Sequence, residues 1–453
     1  MANSNTKTQK VSVGLDIGTT KVCAIILTED EKKDTYKIIG CASAVNAGVN
    51  RGVIVNIEKT VEAIKSVIKE AEHQSGMLIS DVVVGIAGDH IESLTEVSTI
   101  AIANSNQIIS QTDVDRAIDE LRKSKISSDR KIVHIVPYEY VIDGQDGITQ
   151  PVGMYGIRLQ VNVHIVTGIR TAIQNIYLCV EQNAGLKVND IILEPIASSL
   201  ALLSDEEKEV GVCLIDIGGG TTDITIFKDD VLRHTSVIAI GGNKITDDVK
   251  TGLSTTKVEA ERIKCSYGHS YKPSIMTKDE LLMIRGVGGY PHKEIKKEDL
   301  CDIIQPRVEE LFEMCNDEIV KSGFANDLGA GVVLTGGSAL LKGADELAHR
   351  IFHNPIRIGY PSGEKYVGLS NEIESPIYST SVGLALHSLN INAIKGETKL
   401  NYDIEKAKRA QEAVAESNSE DSSFTSDNET TDENNTDENQ SLFEKAKDWL
   451  TKL

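Results

Sequence analysis

The sequence has few of the features that mark a secreted, metal-bound or disulfide-linked protein. Its 453 residues include seven cysteines, an odd number, and none of them forms a Cys-x-x-Cys pair. Scattered cysteines of this kind are typical of free thiols in a reducing compartment. The ten histidines show no ligand-like clustering either. We therefore expect neither a disulfide framework nor a structural metal site.

Long apolar runs and a basic surface are also missing. No stretch approaches the roughly eighteen consecutive apolar residues of a membrane-spanning helix. The chain begins with polar residues and enters an apolar strand at Val11, without the pattern of a secretory signal. The formal net charge is −21, and residues 410–440 hold ten acids and no lysine. The remaining body is mildly acidic, so we expect no nucleic-acid partner.

What the sequence does contain is an internal repeat of a strand–turn–strand motif. Leu15–Thr20 reads LDIGTT, and 200 residues later Ile215–Thr222 reads IDIGGGTT. An apolar strand precedes each copy and another follows it. Two copies of one hairpin predict a pseudo-symmetric protein with two similar α/β lobes.

The rest of the chain fits an α/β protein with one interruption. Strands and helices alternate through both halves, with a strand at 161–168 and a long helix at 297–321. Between 88 and 160 the pattern changes to short strands around one helix, which predicts an inserted α+β module. Residues 417–440 are almost entirely Ser, Asp, Asn, Glu and Thr, a composition typical of disorder.

These patterns predict a division of the chain into two lobes and their attachments. The first lobe takes residues 1–87 and 161–203, on either side of the insert at 88–160. The second lobe takes residues 204–229 and 306–395, on either side of a smaller subdomain at 230–305. A disordered acidic linker at 396–440 then leads to an amphipathic helix at 441–453.

The two repeated turns have the chemistry of a polyphosphate site. A carboxylate at a strand end, followed by glycine, lets phosphate approach the backbone without a Cβ clash. Asp16 and Asp216 would repel each other unless a cation lay between them, and hydrated Mg²⁺ on the phosphates fits because it prefers oxygen ligands and keeps waters. Lys21 adds a positive charge beside the first turn. The residues expected to contact the nucleotide here are Asp16, Gly18, Thr19, Thr20, Lys21, Gly218, Gly219, Gly220, Thr221 and Thr222.

A third glycine motif completes the set. Gly331–Ser338 has the pattern of a strand that ends in a Gly-Gly turn and leads into a helix. Gly336 and Gly337 leave room for a flat purine ring against the backbone, and Ser338 ends the motif. Each motif alone is more often only a turn, but the three in this order predict an ATP-binding protein.

With these motifs the chain resembles the actin-like superfamily, which includes actin, the Hsp70 ATPase domain and sugar kinases. The five matching segments are Asp16–Lys21, Glu194–Ser198, Asp216–Asp223, Leu334–Ser338 and Ser381–Ala385. The resemblance implies a fold of two ribonuclease-H-like domains with ATP in the cleft between them. It also implies that Asp16 and Asp216 hold Mg²⁺ through bound water.

The same resemblance implies roles for three further side chains. Glu261 and Lys264 match a helix pair that lies against ribose and adenine, but they fit a solvated helix face with a local ion pair equally well. Glu194 matches the residue that orients the attacking water, with Asp216 as the second catalytic candidate. A carboxylate at position 194 can equally cap the following helix. We expect ATP hydrolysis to be slow or regulatory.

The position of the insert indicates which family of this superfamily the chain resembles. Only about ten residues, Val45–Ile54, separate the third strand from the first helix, which leaves no room for the insertion that actin has there. An insert at 88–160 resembles instead the bacterial cell-division FtsA family. The segments that carry this resemblance are Pro137–Asp143, Gly147–Leu159, Gly241–Thr246 and Gln305–Arg307.

Family membership would imply a membrane adaptor that binds the C-terminal peptide of the tubulin-like protein FtsZ. It would also imply self-association into actin-like filaments and recruitment of later division proteins. The peptide is expected at 230–305 and the start of the next helix, with Arg307 as the candidate contact because Arg suits carboxylates. An ion pair of Arg307 with Glu310 on its own helix is the alternative.

Two other functions stay open at this point. The first is a small-molecule kinase of the same superfamily, which would need a general base in the cleft. The second is a pilus-assembly ATPase with the same fold and the same displaced insert.

The last thirteen residues carry a separate amphipathic pattern. Ser441 and Glu444 can form a capping box at the start of a helix. Such a helix usually packs on its own domain, but the acidic linker before it favours insertion into a lipid surface. We therefore expect peripheral attachment to the cytoplasmic face of the cell membrane, at the division site. The apolar residues on one stripe of the helix are Leu442, Phe443, Ala446, Trp449, Leu450 and Leu453.

Overall fold

The computed structural model describes residues 11–30, 35–122, 126–275, 280–286, 288, 291–363 and 365–390. The linker predicted at 396–440 and the helix predicted at 441–453 lie outside the described residues. Of the described helices, none is both long enough and apolar enough to cross a bilayer.

The described residues form the strands and helices that follow in chain order. The strands are β1 Val11–Ile17, β2 Lys21–Glu29, β3 Tyr36–Val45, β4 Val49–Asn50, β5 Val53–Ile54, β6 Asp81–Ile86, β7 Ile91–Ala101, β8 Arg130–Ile142, β9 Gln145–Ile148, β10 Arg158–Ile169, β11 Lys187–Leu193, β12 Val212–Ile217, β13 Thr222–Lys228, β14 Val231–Ile238, β15 Leu281–Ile284, β16 Lys293–Lys296, β17 Val332–Thr335, β18 Ile356–Ile358 and β19 Tyr366–Gly368. The α-helices are α1 Ile57–Ser75, α2 Gln111–Arg122, α3 Arg170–Tyr177, α4 Glu194–Leu202, α5 Asp205–Val210, α6 Gly242–Leu253, α7 Lys257–Tyr267, α8 Lys297–Lys321, α9 Ala344–Phe352 and α10 379–390.

Two sheets repeat one topology, as the internal repeat predicts. The order is β11-β6-β1-β2-β3-β19 in the first lobe and β14-β13-β12-β17-β18 in the second. Each sheet joins three antiparallel strands to two parallel ones, and β19 from the second half adds to the edge of the first sheet beside β3. Each lobe has its own apolar core. The predicted two-lobed α/β fold is confirmed.

The insert forms a third layer around its own small core. Its sheet has the order β7-β10-β8-β9 and is covered by α2. We predicted that the strand at 161–168 resumes the first lobe, and this is wrong. That strand is part of β10, which pairs along its whole length with β7 and β8 of the insert. Its apolar run fits either sheet, so pairing alone decides its place. The other subdomain boundaries stay predictions.

The two lobes are connected by α4 and α10, which cross at very short range. A Cβ on Gly383 of α10 would overlap the carbonyl oxygen of Ala197 in α4. Glycine at this position therefore lets the two backbones touch. The close crossing brings the N-terminal ends of both helices, with Ser198 and Thr380, to the space between the lobes.

Candidate nucleotide site

The predicted phosphate turns meet in a cavity of about 340 Å³ between the lobes. A Cβ on Gly219 would collide with the methyl group of Thr20, and a Cβ on Gly220 would lie 2.7 Å from Thr19 Oγ1. Only glycine allows the β1–β2 and β12–β13 turns to approach this closely. The volume is within the range of small-molecule sites.

Nearly all of the predicted nucleotide contacts line this cavity. Thr222 is the exception and needs a correction, because its side chain is fully buried and its hydroxyl donates to the carbonyl of Ile240 at 2.8 Å. Thr222 begins β13 and therefore holds the hairpin to the backbone behind it. The predicted residues that line the cavity are Asp16, Gly18, Thr19, Thr20, Lys21, Glu194, Asp216, Gly218, Gly219, Gly220, Thr221, Glu261, Lys264, Gly336, Gly337 and Ser338.

Two hydroxyl groups, one on each connecting helix, hold the carboxylate of Asp216 in place. Ser198 Oγ donates to its Oδ2 at 3.0 Å and Thr380 Oγ1 does so at 3.3 Å, so both connecting helices orient it. Burial raises the pKa of Asp216 to about 6, with Asp16 adding to the rise and the two hydroxyls opposing it. A Cβ on Gly336 would overlap Asp216 Oδ1, so glycine there leaves the carboxylate room.

Asp16 has a different environment on the opposite turn. Its Oδ2 lies 3.8 Å from Lys21 Nζ and 3.5 Å from Ser381 Oγ. Burial raises the pKa of Asp16, while Lys21 and Ser381 act against that rise. Lys21 Nζ also lies 5.1 Å from the centre of the Tyr378 ring. The first turn therefore combines one carboxylate with one ammonium group.

Asp223 is a site residue that we did not single out from the sequence. It lies directly opposite Asp216 in the β12–β13 register and lines the cavity. Its Oδ1 is buried without a hydrogen-bond partner among the described residues. Burial and then repulsion from Asp216 raise its pKa to about 8. The signal was present in the sequence, because a residue facing the turn aspartate across a tight hairpin shares its surroundings.

Glu194 brings a fourth carboxylate to the same space. It is the first residue of α4, which has no side-chain cap, and its side chain passes Gly85 so closely that a Cβ there would lie 2.8 Å from Glu194 Cγ. Burial, followed by Asp16, Asp223 and Asp216, raises the pKa of Glu194 well above its ordinary value. Glu194 lines the cavity together with these three aspartates.

The donor set fits a hydrated cation better than a directly ligated one. No group of three or more acidic, histidine or cysteine side chains in the described part of the chain is arranged to hold a metal directly. The buried, unpartnered Asp223 Oδ1 and the raised pKa values of the carboxylates nevertheless indicate a site with excess negative potential. Mg²⁺ keeps several waters and is often bound by only one or two carboxylates together with phosphates.

The expected ribose and adenine side of the cleft contains a partly buried ion pair. Lys264 Nζ lies 2.8 Å from Glu261 Oε2 and donates to Thr246 Oγ1 and the carbonyl of Gly242. Lys264 is buried and the Glu261 side chain is 44% exposed, so the local ion pair that we weighed as the alternative is present. Both residues line the cavity, and their contact with a nucleoside stays a prediction.

Arg307 lies apart from this cavity, on α8. Its guanidinium forms a hydrogen-bonded ion pair with Asp248 of α6, at 2.6 Å from Nε to Oδ2, and also bonds Glu310. The local pairing that we weighed as the alternative is therefore present, together with a second acid. The candidate membrane residues Leu442, Phe443, Trp449, Leu450 and Leu453 lie outside the described residues.

Solved structures of other proteins share the fold. The PilM-PilN type IV pilus biogenesis complex matches with a TM-score of 0.60 at 16% identity, covering 83% of this chain and 98% of that one. MreB5 of Spiroplasma citri bound to ADP matches with a TM-score of 0.50 at 14% identity, covering 87% and 98%. At such low identity these likenesses support the actin-like architecture alone.

Sequence comparison identifies the family. The family model "Cell division protein FtsA" matches residues 213–383, and the model "SHS2 domain inserted in FTSA" matches 88–167. The cell division protein FtsA of Pseudomonas aeruginosa is 41% identical over 382 residues, which are 84% of this chain and 89% of that relative. FtsA of Escherichia coli K12 is 36% identical over 399 residues, or 86% and 93%. Because this similarity extends through both lobes and the insert, the chain belongs to the FtsA family of cell-division proteins.

Proposed function

We propose that this chain is an ATP-binding, self-associating adaptor of cell division that anchors FtsZ filaments to the cytoplasmic face of the membrane at the division site. In this proposal it also helps to recruit later division proteins. The role in cell division follows from its family. The observation that carries the nucleotide part is the meeting of two glycine turns around four carboxylates, two of them buried, and one lysine.

In the proposed site, the backbone amides of both turns and the hydroxyls of Thr19, Thr20 and Thr221 donate to phosphate oxygens. Lys21 adds a positive charge on the first-lobe side. Asp16, Asp216 and Asp223 accept from the waters of Mg²⁺, which when bound neutralises the charge of the phosphates. Gly336, Gly337 and Ser338 lie on the adenine side.

Hydrolysis, where it occurs, is assigned to the Glu194 side of the cleft. A carboxylate with a pKa raised well above its ordinary value can accept a proton from water or orient it near neutral pH. Asp216, held by Ser198 and Thr380, is the second catalytic candidate. We propose a weak or regulatory ATPase rather than a fast enzyme.

The membrane part of the proposal depends on sequence spacing at 441–453. Burial of each large apolar side chain can contribute about 1.5–3 kcal/mol, and ordering each residue costs about 1–2 kcal/mol. One tail should therefore bind lipid weakly and reversibly. Several tails on one filament would bind far more tightly through effective concentration. ATP-dependent assembly would in this way control membrane attachment.

For the FtsZ peptide, Arg307 remains the candidate contact. It would exchange Asp248 or Glu310 for a peptide carboxylate, so the net gain from this one contact would be modest.

The pilus-assembly function has no support beyond a shared fold at 16% identity. The kinase alternative has no evident use for the amphipathic tail.

Three measurements test the proposal. Calorimetry with ATP in Mg²⁺ buffer should show binding to folded protein, and its absence would overturn the nucleotide assignment. A synthetic peptide of the FtsZ C-terminus should retain the chain in a pull-down. Trp449, the only tryptophan, should change its emission when anionic liposomes are added; unchanged emission would contradict the membrane tether.

A further inference from the structure

One contact between the insert and the first lobe lies next to the cleft and is made by a histidine. His134 of β8 accepts a hydrogen bond at its Nε2 from the backbone N–H of Leu193, at 2.9 Å. Leu193 is the last residue of β11, which is the edge strand of the first-lobe sheet. An edge strand has amides that the sheet does not use, and a buried amide of this kind needs a partner. An imidazole from the insert supplies it.

The position of Leu193 gives this bond its significance. The chain turns at Leu193 from strand into helix, with φ −61° and ψ 125°, and Glu194 follows as the first residue of α4. Because α4 has no side-chain cap, rotation at Leu193 would swing the Glu194 carboxylate directly. On its other side Glu194 packs against Gly85. The His134 contact and the Gly85 contact together define where Glu194 points.

The surroundings of His134 favour the accepting form of the ring. Burial lowers its pKa to about 4, with Asp190 opposing and His387 reinforcing the change. His387 Nε2 is itself paired with Asp190 Oδ2 at 3.0 Å. Near neutral pH the imidazole of His134 is therefore uncharged, with a lone pair on Nε2 and the proton on Nδ1.

We infer that His134 is a positioning residue for Glu194, and that its hydrogen bond to Leu193 ties the insert to the hydrolytic side of the cleft. The inference rests on the proposed ATP-binding function and on Glu194 as the residue that orients water. It gives the insert a direct route to nucleotide chemistry, because any ligand that shifts β8 also shifts the backbone that carries Glu194.

Two substitutions separate hydrogen bonding from packing at this position. His134→Leu removes the hydrogen-bond acceptor Nε2 and replaces the imidazole by an apolar side chain of similar size. His134→Gln places an amide oxygen near the former Nε2 and should retain the bond. Ser93→Ala is the matched control. Ser93 Oγ connects the insert to the carbonyl of Thr235 in the second lobe at 2.7 Å, and Ser93 does not line the cavity that contains Glu194.

All variants are compared in the full chain by three measurements. Calorimetry gives the ATP dissociation constant, single-turnover assays give the cleavage rate, and hydrogen exchange with mass spectrometry follows the peptide 190–197. For His134→Leu we expect the dissociation constant to stay within about twofold and cleavage to slow about tenfold or more. One amide in the peptide should exchange about fivefold faster. His134→Gln and Ser93→Ala should behave like the unsubstituted chain.

The outcomes distinguish this inference from the proposed function. Unchanged cleavage and exchange in His134→Leu would overturn the inference, and so would a His134→Gln variant as impaired as His134→Leu, since packing would then explain the effect. An unsubstituted chain that binds ATP without any cleavage also overturns it. A folded, unsubstituted chain that binds no ATP overturns the proposed function itself, while the exchange measurement still reports whether His134 protects Leu193.

Discussion

The two phosphate turns are copies of one hairpin that differ in charge. In the first, Asp16 pairs in register with Cys23 and lies near Lys21. In the second, Asp216 pairs with Asp223. Burial and the neighbouring Asp16 raise the pKa of Asp216 to about 6, and burial and repulsion from Asp216 raise the pKa of Asp223 to about 8. The first turn is thus close to neutral and the second carries excess negative charge. In the proposed site, the first turn would therefore bind phosphate and the second would favour the cation.

The largest expected effect comes from removing the carboxylate at the centre of the second turn. Asp216→Asn keeps the size of the side chain but removes the charge that faces the cation. We expect the affinity for ATP in Mg²⁺ to fall about a hundredfold. This is the upper end of the loss seen when a residue that contacts a metal only through one of its ligands is replaced. Calorimetry with Mg²⁺ and with EDTA measures this, and the EDTA values should differ little between variant and parent. Equal losses in both buffers would contradict the assignment of the cation to this turn.

The corresponding change in the first turn is Lys21→Met, which should act on phosphate rather than on the cation. Loss of a charged donor to phosphate should weaken ATP binding about tenfold, with or without Mg²⁺. Lys131→Met is the control, because Lys131 is exposed and lies over the Tyr177 ring outside the cavity. If Lys21→Met lost affinity only in Mg²⁺, the two turns would not have separate tasks.

The Asp223→Asn variant should raise the stability of the nucleotide-free protein and lower its affinity for ATP. Near neutral pH the folded protein keeps the buried Asp223 carboxyl largely protonated, which costs free energy that an amide does not. Asp223→Asn should therefore stabilise the nucleotide-free protein by about 1–2 kcal/mol. Thermal unfolding without nucleotide should show a midpoint higher by several degrees, while the affinity for ATP in Mg²⁺ falls. A lower midpoint would show that the carboxylate supports the apo fold instead.

The smallest expected effect compares single glycines of the two turns. A Cβ on Gly219 would collide with Thr20, whereas a Cβ on Gly18 would have only the carbonyl oxygen of Lys21 at 3.1 Å and Asp16 Oδ1 at 3.6 Å. Gly219→Ala should therefore separate the turns and weaken ATP binding by roughly 1 kcal/mol or somewhat more, the usual scale of overpacking. Gly18→Ala should cost less. The reverse order in calorimetry would refute the close approach of the turns.

Much of this architecture could be predicted from local patterns. The predicted helix at 297–321 is α8, because its periodicity is long and its start is marked by acidic residues. The repeat correctly predicted two lobes and the turns that face each other. By contrast, α5 at Asp205–Val210 and the β15–β16 hairpin were not predicted. The helix has six residues, nearly all charged, and each strand of the hairpin has only four residues.

The sequence by itself determined that there are two hairpins with an aspartate at each turn, a third glycine turn, an insert beginning near 88 and an amphipathic terminal stretch. These are local features, because strand, turn and helix preferences depend on neighbouring residues. Only the tertiary structure decided that β10 belongs to the insert, that Thr222 is turned into the protein, that Asp223 shares the cleft and that His134 reaches Leu193. Each of these depends on which strand lies beside which, and apolar strands do not encode their partners in their own residues.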